Sequence, residues 1–517
     1  MDYQKLINVD NTSWMIPIEM MLGSIIHREV QSCSISKVPD RIRKPNNGAY
    51  KPQVVSIGPY HRGSEGENDL MLMEQPKWSY MLHILGRSQE QENGKTEESQ
   101  QGPEQENGNA EESQQGPEQE NENAEESDQG PITLKICGTT ILELDSIIRA
   151  SYGGNIQTEP HELAKIMLLD GLFLLEFLIR LSKYMDALSD NNYFVHSHYH
   201  DDPIFESQEK LLSVLSDMLL LENQIPFIVL KKLYRRLFPC DVPSEEDHRV
   251  AELALGALGY PLITPTAGVA HLLHLVHLSI TNQEERHETR HARRELKCCA
   301  TRLRANGIKI KPAERSNVDY ADYLNKFEFF DNFDFEIKFN NDDGVLEIPQ
   351  LHIKKSTEVK WRNLIAWEQS RIGNRCKLTS YALFFQGLIC CPHDIELLEH
   401  VGVLVNESEK SNEDLLKLFH TICEGVEHMD SSYSEDCAKL NKYTTTTLLT
   451  MLKKWPIVIW HQCRCLFAII LFYWKNWYSI LIKEHIPTVW KLIGVLAAIV
   501  LLGLTVVQTY YAARSDN

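Results

Sequence analysis

The run from Leu492 to Ala513, LIGVLAAIVLLGLTVVQTYYAA, holds 22 residues without a charge, and nothing else in this chain of 517 residues restricts its fold as strongly. At ~1.5 Å of rise per residue, a helix of that length spans the ~30 Å hydrocarbon core of a bilayer. A buried core helix would be shorter and would carry a polar stripe. The run therefore predicts one transmembrane helix, within an element covering 489–513. Only Arg514, Ser515, Asp516 and Asn517 follow it, so insertion is expected late, as for a tail anchor. At the other end, Asp2 and Asp10 stand where a secretory signal carries positive charge, and Glu19 interrupts the apolar stretch. Residues 1–30 read as an N-terminal helical segment, not as a signal. Lys475, Lys483 and Lys491 flank the span on its N-terminal side against Arg514 on the other, which places the bulk of the chain in the cytosol. The plasma membrane is one candidate membrane. The sequons at Asn11 and Asn406 would be usable only in the opposite orientation.

Ahead of the span, 451–488 forms an aromatic juxtamembrane segment, and five of the nine tryptophans lie between Trp455 and Trp490. Tryptophan favours the headgroup layer. A second spanning helix over Trp455 to Ile482 would put His461, Gln462 and Arg464 near mid-bilayer, where a charge costs ~2.5–3.5 kcal/mol, so an in-plane interfacial helix is the better reading. Cys463 and Cys465 would be open to palmitoylation there.

The net charge is −20, with 52 Lys and Arg against 72 Asp and Glu, which excludes a general nucleic-acid binder because phosphate contacts need a basic face. Most of that charge is local. Three copies of a 14-residue unit, EQENGKTEESQQGP and its variants, run from Glu90 to Pro131 and carry 13 Glu and Asp128 against Lys95. No aliphatic side chain larger than Ala occurs in them, so they cannot bury enough surface to offset ~1–2 kcal/mol of backbone entropy per residue. They predict a disordered acidic insertion over 88–131, inside one globular domain made of 31–87 and 132–450.

That domain reads as mainly α, an α+β chain with a few short strands and a C-terminal transmembrane helix after it. His161 to Tyr184 is too charged to span a membrane and too apolar for a surface helix, with Glu176 and Arg180 spaced to pair. It predicts a central core helix. Ser207 to Leu221 repeats the pattern through Leu211, Leu215, Met218 and Leu219, then meets Glu222, Asn223, Gln224, Ile225 and Pro226. Three polar residues at an apolar helix end predict a buried network that holds the next segment. Strands are expected at Phe335–Phe339, Val345–Ile348 and Leu351–Ile353, with a turn through Asn340 to Gly344, and one more at Val54–Ile57.

Chemistry-bearing motifs are few. His287-Glu288-Thr289-Arg290-His291 satisfies H-E-x-x-H, which on a helix aims two imidazoles at zinc with Glu288 as general base. Glu284, Glu285, Arg286, Arg290, Arg293 and Arg294 surround it, whereas a zinc helix is bedded in apolar core and repels neighbouring cations. His196, His198 and His200, with Asp201 and Asp202, alternate like ligands on a strand. His271, His274 and His277, among Leu272, Leu273, Leu275 and Val276, read as core or rim histidines. The 12 cysteines include the adjacent pairs Cys298-Cys299 and Cys390-Cys391 but no C-x-x-C, so they support no metal or disulfide framework and read as reduced core filler. No P-loop, G-x-G-x-x-G or G-x-S-x-G occurs. No catalytic residue, cofactor site or metal site is assigned.

Several blocks, in order, resemble the plant family built on domain of unknown function 247. They begin with Val38, Pro39, Arg43, Asn46, Tyr50, Pro52, Ser56, Gly58, Pro59 and His61, followed by Glu74 and Trp78. Leu168 to Glu176 with Asp170, then Asp201 to Phe227 with Glu222, Asn223, Gln224 and Pro226, continue the match. Gly344 to Ile353 with Glu347 and Pro349, Arg362 to Gln369 with Asn363 and Glu368, and Leu378 to Phe384 with Tyr381 complete it. Arg62 departs from the family pattern, where a second histidine is common, and the 14-residue repeats resemble a private insertion. The resemblance implies a plant membrane-associated protein without an established activity, in a family some of whose grass members are implicated in self-incompatibility. Three functions follow as expectations: a membrane-anchored interaction or recognition protein with an unknown protein partner and no catalysis; a membrane scaffold or tether; and a metalloprotease working through His287, Glu288 and His291. The bilayer is the one partner read directly, and oligomeric state is left open. Tyr60 and His61, at the Gly58-Pro59 turn, are expected to pack rather than to bind.

Overall fold

The structure, a computed structural model, describes residues 33–62, 70–98, 130–189, 201–239, 243–263, 268–281, 295–313, 335–370, 376–427, 429–430, 432–444, 474 and 489–515. Segment 1–30, repeat residues 99–129, His196, His198, His200, the His287–His291 motif and, Trp474 apart, the segment Trp455 to Ile482 lie outside them.

The helices are α1 (Asp40–Arg43), α2 (Glu74–Glu98), α3 (Gly130–Glu143), α4 (Asp145–Ser151), α5 (Pro160–Ser189), α6 (Gln208–Asp217), α7 (Phe227–Leu237), α8 (Pro243–Ala257), α9 (Leu272–Thr281), α10 (Ala300–Ala305), α11 (Thr357–Ser370), α12 (Lys377–Leu388), α13 (Pro392–His400), α14 (Asn412–Thr421), α15 (Ser434–Thr444) and α16 (Val489–Ser515). The strands are β1 (Lys309–Pro312), β2 (Lys338–Asn340), β3 (Val345–Ile348), β4 (Leu351–Ile353) and β5 (Leu404–Asn406). The protein is mainly α. The chain falls into two units, Met1–Ala300 with Ile310–Asn441, and Thr301–Lys309 with Lys442–Asn517.

In the first unit α5 is the axis. It packs against α2, α3, α4, α7 and α8, so its sequence is apolar on almost every side, with Leu163, Met167, Leu172, Phe173, Phe177 and Leu181 inaccessible to solvent. Glu176, also inaccessible, survives in that core because Arg180 Nε donates to it at 2.7 Å and Arg87 at 3.0 Å. Arg180 also donates to Asp202 at 2.6 Å and stacks 4.3 Å over the Tyr80 ring, whose hydroxyl donates to the same carboxylate at 2.7 Å. A second layer is centred on α11, which buries Trp361 and Trp367 and touches α9, α12 and the 3₁₀ turn Asn47–Tyr50.

Strands are few and short. β2 and β3 pair antiparallel, with Phe339 opposite Leu346, around a turn in which Asn340 Oδ1 accepts from Asp342 N and Gly344 takes φ +64°. β1 lies on the far side of β3, and β4 pairs parallel with β5. Two expectations need correction. Residues Val54–Ile57 do not join a sheet; the side chains of Asp217 and Asn223 take the N–H groups of Val54, Val55 and Ile57. The acidic insertion does not start as coil either, because α2 runs on into the first repeat as far as Glu98. Glu, Gln and Lys are good helix formers, and a helix already seeded by packing extends at little cost despite Gly94.

In the second unit the backbone of α16 is helical for 27 residues, over the predicted span. Its described side chains fall between Ile493 and Gln508, and no helix among the described residues is long and apolar enough to cross a membrane.

Arg180 joins two buried carboxylates to one aromatic face, so Arg180→Met is expected to leave charges unpaired in the core and lower stability by ~3–5 kcal/mol. Arg180→Lys should restore only part, because a lysine cannot reproduce the forked contacts. Denaturant midpoints of the full chain and the two variants measure this.

Candidate functional site

Most family-motif positions converge on one feature, a buried seam of polar side chains that fastens residues 35–62 to the helical core. Asp217, at the end of α6, is 2% exposed and accepts from the backbone N–H of Gln53 (2.9 Å), Val54 (2.7 Å) and Val55 (2.9 Å). Asn223 Oδ1 accepts from Ile57 N at 2.7 Å, and its Nδ2 donates to Val55 O and Asp217 O, each at 2.9 Å. Glu222 Oε1 accepts from Val38 N at 2.6 Å and from the Arg43 guanidinium. Gln224 donates to Met218 O and Leu220 O and accepts from Leu273 N. Asn363, fully buried on α11, donates to Ala49 O at 2.8 Å and accepts from Leu221 N at 3.0 Å. The expected polar network is present, but what it holds is a segment more than 150 residues upstream and, through Leu273 N, the start of α9, not the helix that follows it directly.

At the centre lies an ion cluster. Asp170 and Lys77 are both inaccessible and 2.8 Å apart. Lys77 Nζ spends its three donors on Ser56 O (2.6 Å), Glu74 Oε1 (2.8 Å) and Asp170 Oδ1 (2.8 Å), the full complement of an ammonium. Asp170 Oδ2 accepts from Gly58 N at 2.8 Å, and Arg62 donates to Asp170 at 3.0 Å and to Glu74 at 3.2 Å. Arg62, the departure from the family pattern, is thus a working part of the cluster. Gly58 has φ +76°, and a Cβ there would lie 2.5 Å from Gln224 O, so the turn admits only glycine.

The turn residues pack. Tyr60 donates to Ile35 O at 3.1 Å and meets the Tyr152 ring edge-on, and burial pushes its hydroxyl up to about 12. His61 lies 3.9 Å from Glu222, and burial lowers its pKa. Tyr50 is buried under Arg43, Asn46 donates to Glu358 at 2.8 Å, and Pro39 and Pro226 open α1 and α7. Pro52 is half-buried, Pro349 buried, and Tyr381 packs among Phe335 and Phe385. Glu347 stands apart on the sheet, paired with Lys311 at 2.8 Å. Trp78 is the outlier, 45% exposed beside buried Lys77.

His271, just before α9, and His274 and His277 on it are buried as read. His277 Nε2 sits 2.9 Å from Glu368, whose carboxylate also accepts from Leu378 N, Thr379 N and Thr379 Oγ1. His271 Nδ1 accepts from His274 N, and both rings lie against Trp367. Every one of these groups is closed in. The pocket lined by Leu383, Phe384, Tyr433 and Cys437 offers about 10 Å³, room for one water and not for a substrate. One finding runs against the expectation for the cysteines: Cys299, Cys390 and Asp394 come together, across 91 positions of sequence that spacing rules cannot see.

Full burial holds His271 neutral, with its pKa brought from 6.5 down to about 3. The sign follows: the stability it supports is complete above pH 6.5 and is lost as pH falls toward 3, because only the unfolded chain gains the proton. From pH 7 to 5 this residue should account for about 2 kcal/mol of lost stability. Denaturant midpoints at both pH values check it, and His271→Asn, which keeps an acceptor for His274 N, should flatten the slope.

Comparison with known proteins agrees with this layout. UPF0481 protein At3g47200 of Arabidopsis thaliana is 25% identical over 516 residues, covering 94% of this chain and 87% of its own length. At3g02645, another UPF0481 protein of that plant, is 21% identical over 209 residues, 40% of this chain and 31% of its own. No solved structure matches. A family described as plant protein of unknown function, DUF247, matches residues 35–109 and 118–504, a range that takes in every residue of the seam, and the chain belongs to that family.

Proposed function

We propose that this protein is a single-pass, membrane-anchored recognition component that binds a protein partner through an exposed apolar stripe on α2 and performs no catalysis. The stripe carries the reading. Met71 (60% exposed), Trp78 (45%) and Leu82 (72%) recur at helical spacing on or just before α2, with Leu72 (74%) beside them and Leu134 and Ile136 exposed on the adjoining α3. Large exposed apolar side chains that include a tryptophan are the composition of an interaction hot spot. The same helix leads into the acidic repeat, which would supply long-range attraction for a basic partner.

The anchor rests on residues 492–513. The described apolar side chains of α16, among them Ile493, Leu496, Ile499, Leu502, Leu504 and Val506, are all half or more exposed, which suits a helix solvated by lipid. With the lysine excess on its N-terminal side, the domain faces the cytosol.

Protease protection in sealed microsomes, with a tag ahead of residue 1, is expected to show the tag digested. A photo-crosslinking residue at position 78 should then give one defined adduct in plant membranes. Leu82→Asp should abolish that adduct while leaving stability within about 0.5 kcal/mol, as for any exposed site. Full crosslinking by Leu82→Asp would favour a tether without a partner at this face.

A further inference from the structure

The two adjacent cysteine pairs meet in space. Cys390 and Cys391 lie at the start of α13, whose third residue, Asp394, is fully buried and caps it. Cys299 arrives from a segment held at fixed points: Asn441 accepts from Lys297 N at 2.9 Å and donates to Glu295 O at 2.8 Å. Leu296 O then passes so close to α12 that a Cβ at Gly387 would lie 2.8 Å from it. Two backbone anchors and one glycine contact thus deliver Cys299 to Cys390 without reference to the thiols, the preorganisation a ligand site requires.

From this geometry we infer that Cys299, Cys390 and Asp394 form a binding site for a thiophilic divalent cation, zinc foremost, with the fourth tetrahedral position left to water. The ligand atoms of Cys299, Cys390 and Asp394 lie within 4.8 Å of one another. Asp394 Oδ2 stands 3.1 Å from Cys390 Sγ and 3.3 Å from Cys391 Sγ. A tetrahedral zinc with Zn–S ~2.3 Å and Zn–O ~2.0 Å has S···O edges of ~3.5 Å, so the cluster needs to open by a few tenths of an ångström. The hydrogen bonding also favours a cation. Oδ2 receives Cys390 N (2.9 Å) and Cys391 N (3.1 Å) as well as both thiols, four donors on an oxygen with two lone pairs. Exchanging the Cys299 and Cys390 thiol protons for one cation, with the protons passing to solvent, turns the Cys390 thiol from a competing donor into a ligand and leaves both N–H bonds intact. Sulfur-rich donors select zinc and its soft neighbours over magnesium and calcium. Cys299 and Asp394 are buried while Cys390 is exposed, which leaves an entry path.

Titration of the reduced, full-length protein in detergent with Co²⁺ alone tests the site. The expected result is thiolate-to-cobalt charge-transfer absorbance with the strong visible bands of tetrahedral cobalt, displaced by Zn²⁺ and not by Mg²⁺. Cys299→Ser and Cys390→Ser should each weaken binding beyond the ~10–100-fold that loss of an outer-shell partner costs, whereas Cys33→Ser should change nothing. No such absorbance in the wild type, or absorbance unchanged in the Cys299→Ser/Cys390→Ser double variant, overturns the proposal. So does a Cys299–Cys390 disulfide in protein isolated with its thiols trapped. If the variants fail to fold, alkylation of the wild type decides: Zn²⁺ should protect Cys390 and spare Cys33, and equal labelling of Cys390 with and without Zn²⁺ overturns the inference.

Discussion

A chain segment that enters a core without a sheet partner must find other acceptors for its backbone, and in this protein buried carboxylates and amides supply them. Asp217, Asn223 and Asp170 between them accept every N–H from Gln53 to Gly58 except that of Ser56. Each such group left unsatisfied would cost ~1–3 kcal/mol, so without this capture the segment would stay in solvent. The consequences spread. Tyr50, Val55 and Ile57 are buried only because the backbone between them is satisfied. α11 gains its contact with the Asn47–Tyr50 turn, and Asn363 links that turn to the end of α6.

Charge follows the same economy of placement. The net charge of −20 gives no warning of buried cations, yet Lys77, Arg180 and Arg362 are buried or nearly so, each bonded to a carboxylate. Removing such pairs wholesale in favour of apolar residues would be close to neutral in energy. What they add is register. An ammonium that requires Ser56 O, Glu74 and Asp170 together fixes α2, α5 and the N-terminal segment in one arrangement.

How much of this was legible in the sequence depended on range. α5 and α6 were readable because their apolar spacing is local, and so was the turn at Asn340–Gly344, whose residues determine its backbone. The Glu222-Asn223-Gln224 network was visible as polar residues stranded at an apolar helix end. Its main client was not: Val54–Ile57 has the β-branched composition of a strand, and nothing nearby says that Asp217, 162 positions beyond Val55, replaces the neighbouring strand. Lys77 and Asp217 sit on amphipathic helices and look like surface charges until their partners are known. The cysteine cluster was hidden for the same reason, since each pair alone carries no ligand spacing.

The seam and the exposed stripe meet at consecutive residues. Lys77 and Trp78 are neighbours on α2, about 100° apart around the helix, and the first is inaccessible while the second is 45% exposed. A helix with one long side chain locked by three hydrogen bonds cannot roll, so the bonds of Lys77 set the direction in which Trp78, and with it Leu82 four residues on, faces solvent. An apolar surface held rigid in this way loses little conformational entropy when a partner covers it. The buried ion cluster and the recognition surface are thus two faces of one constraint, and the part of the family signature that forms the cluster fixes the shape that a partner would read.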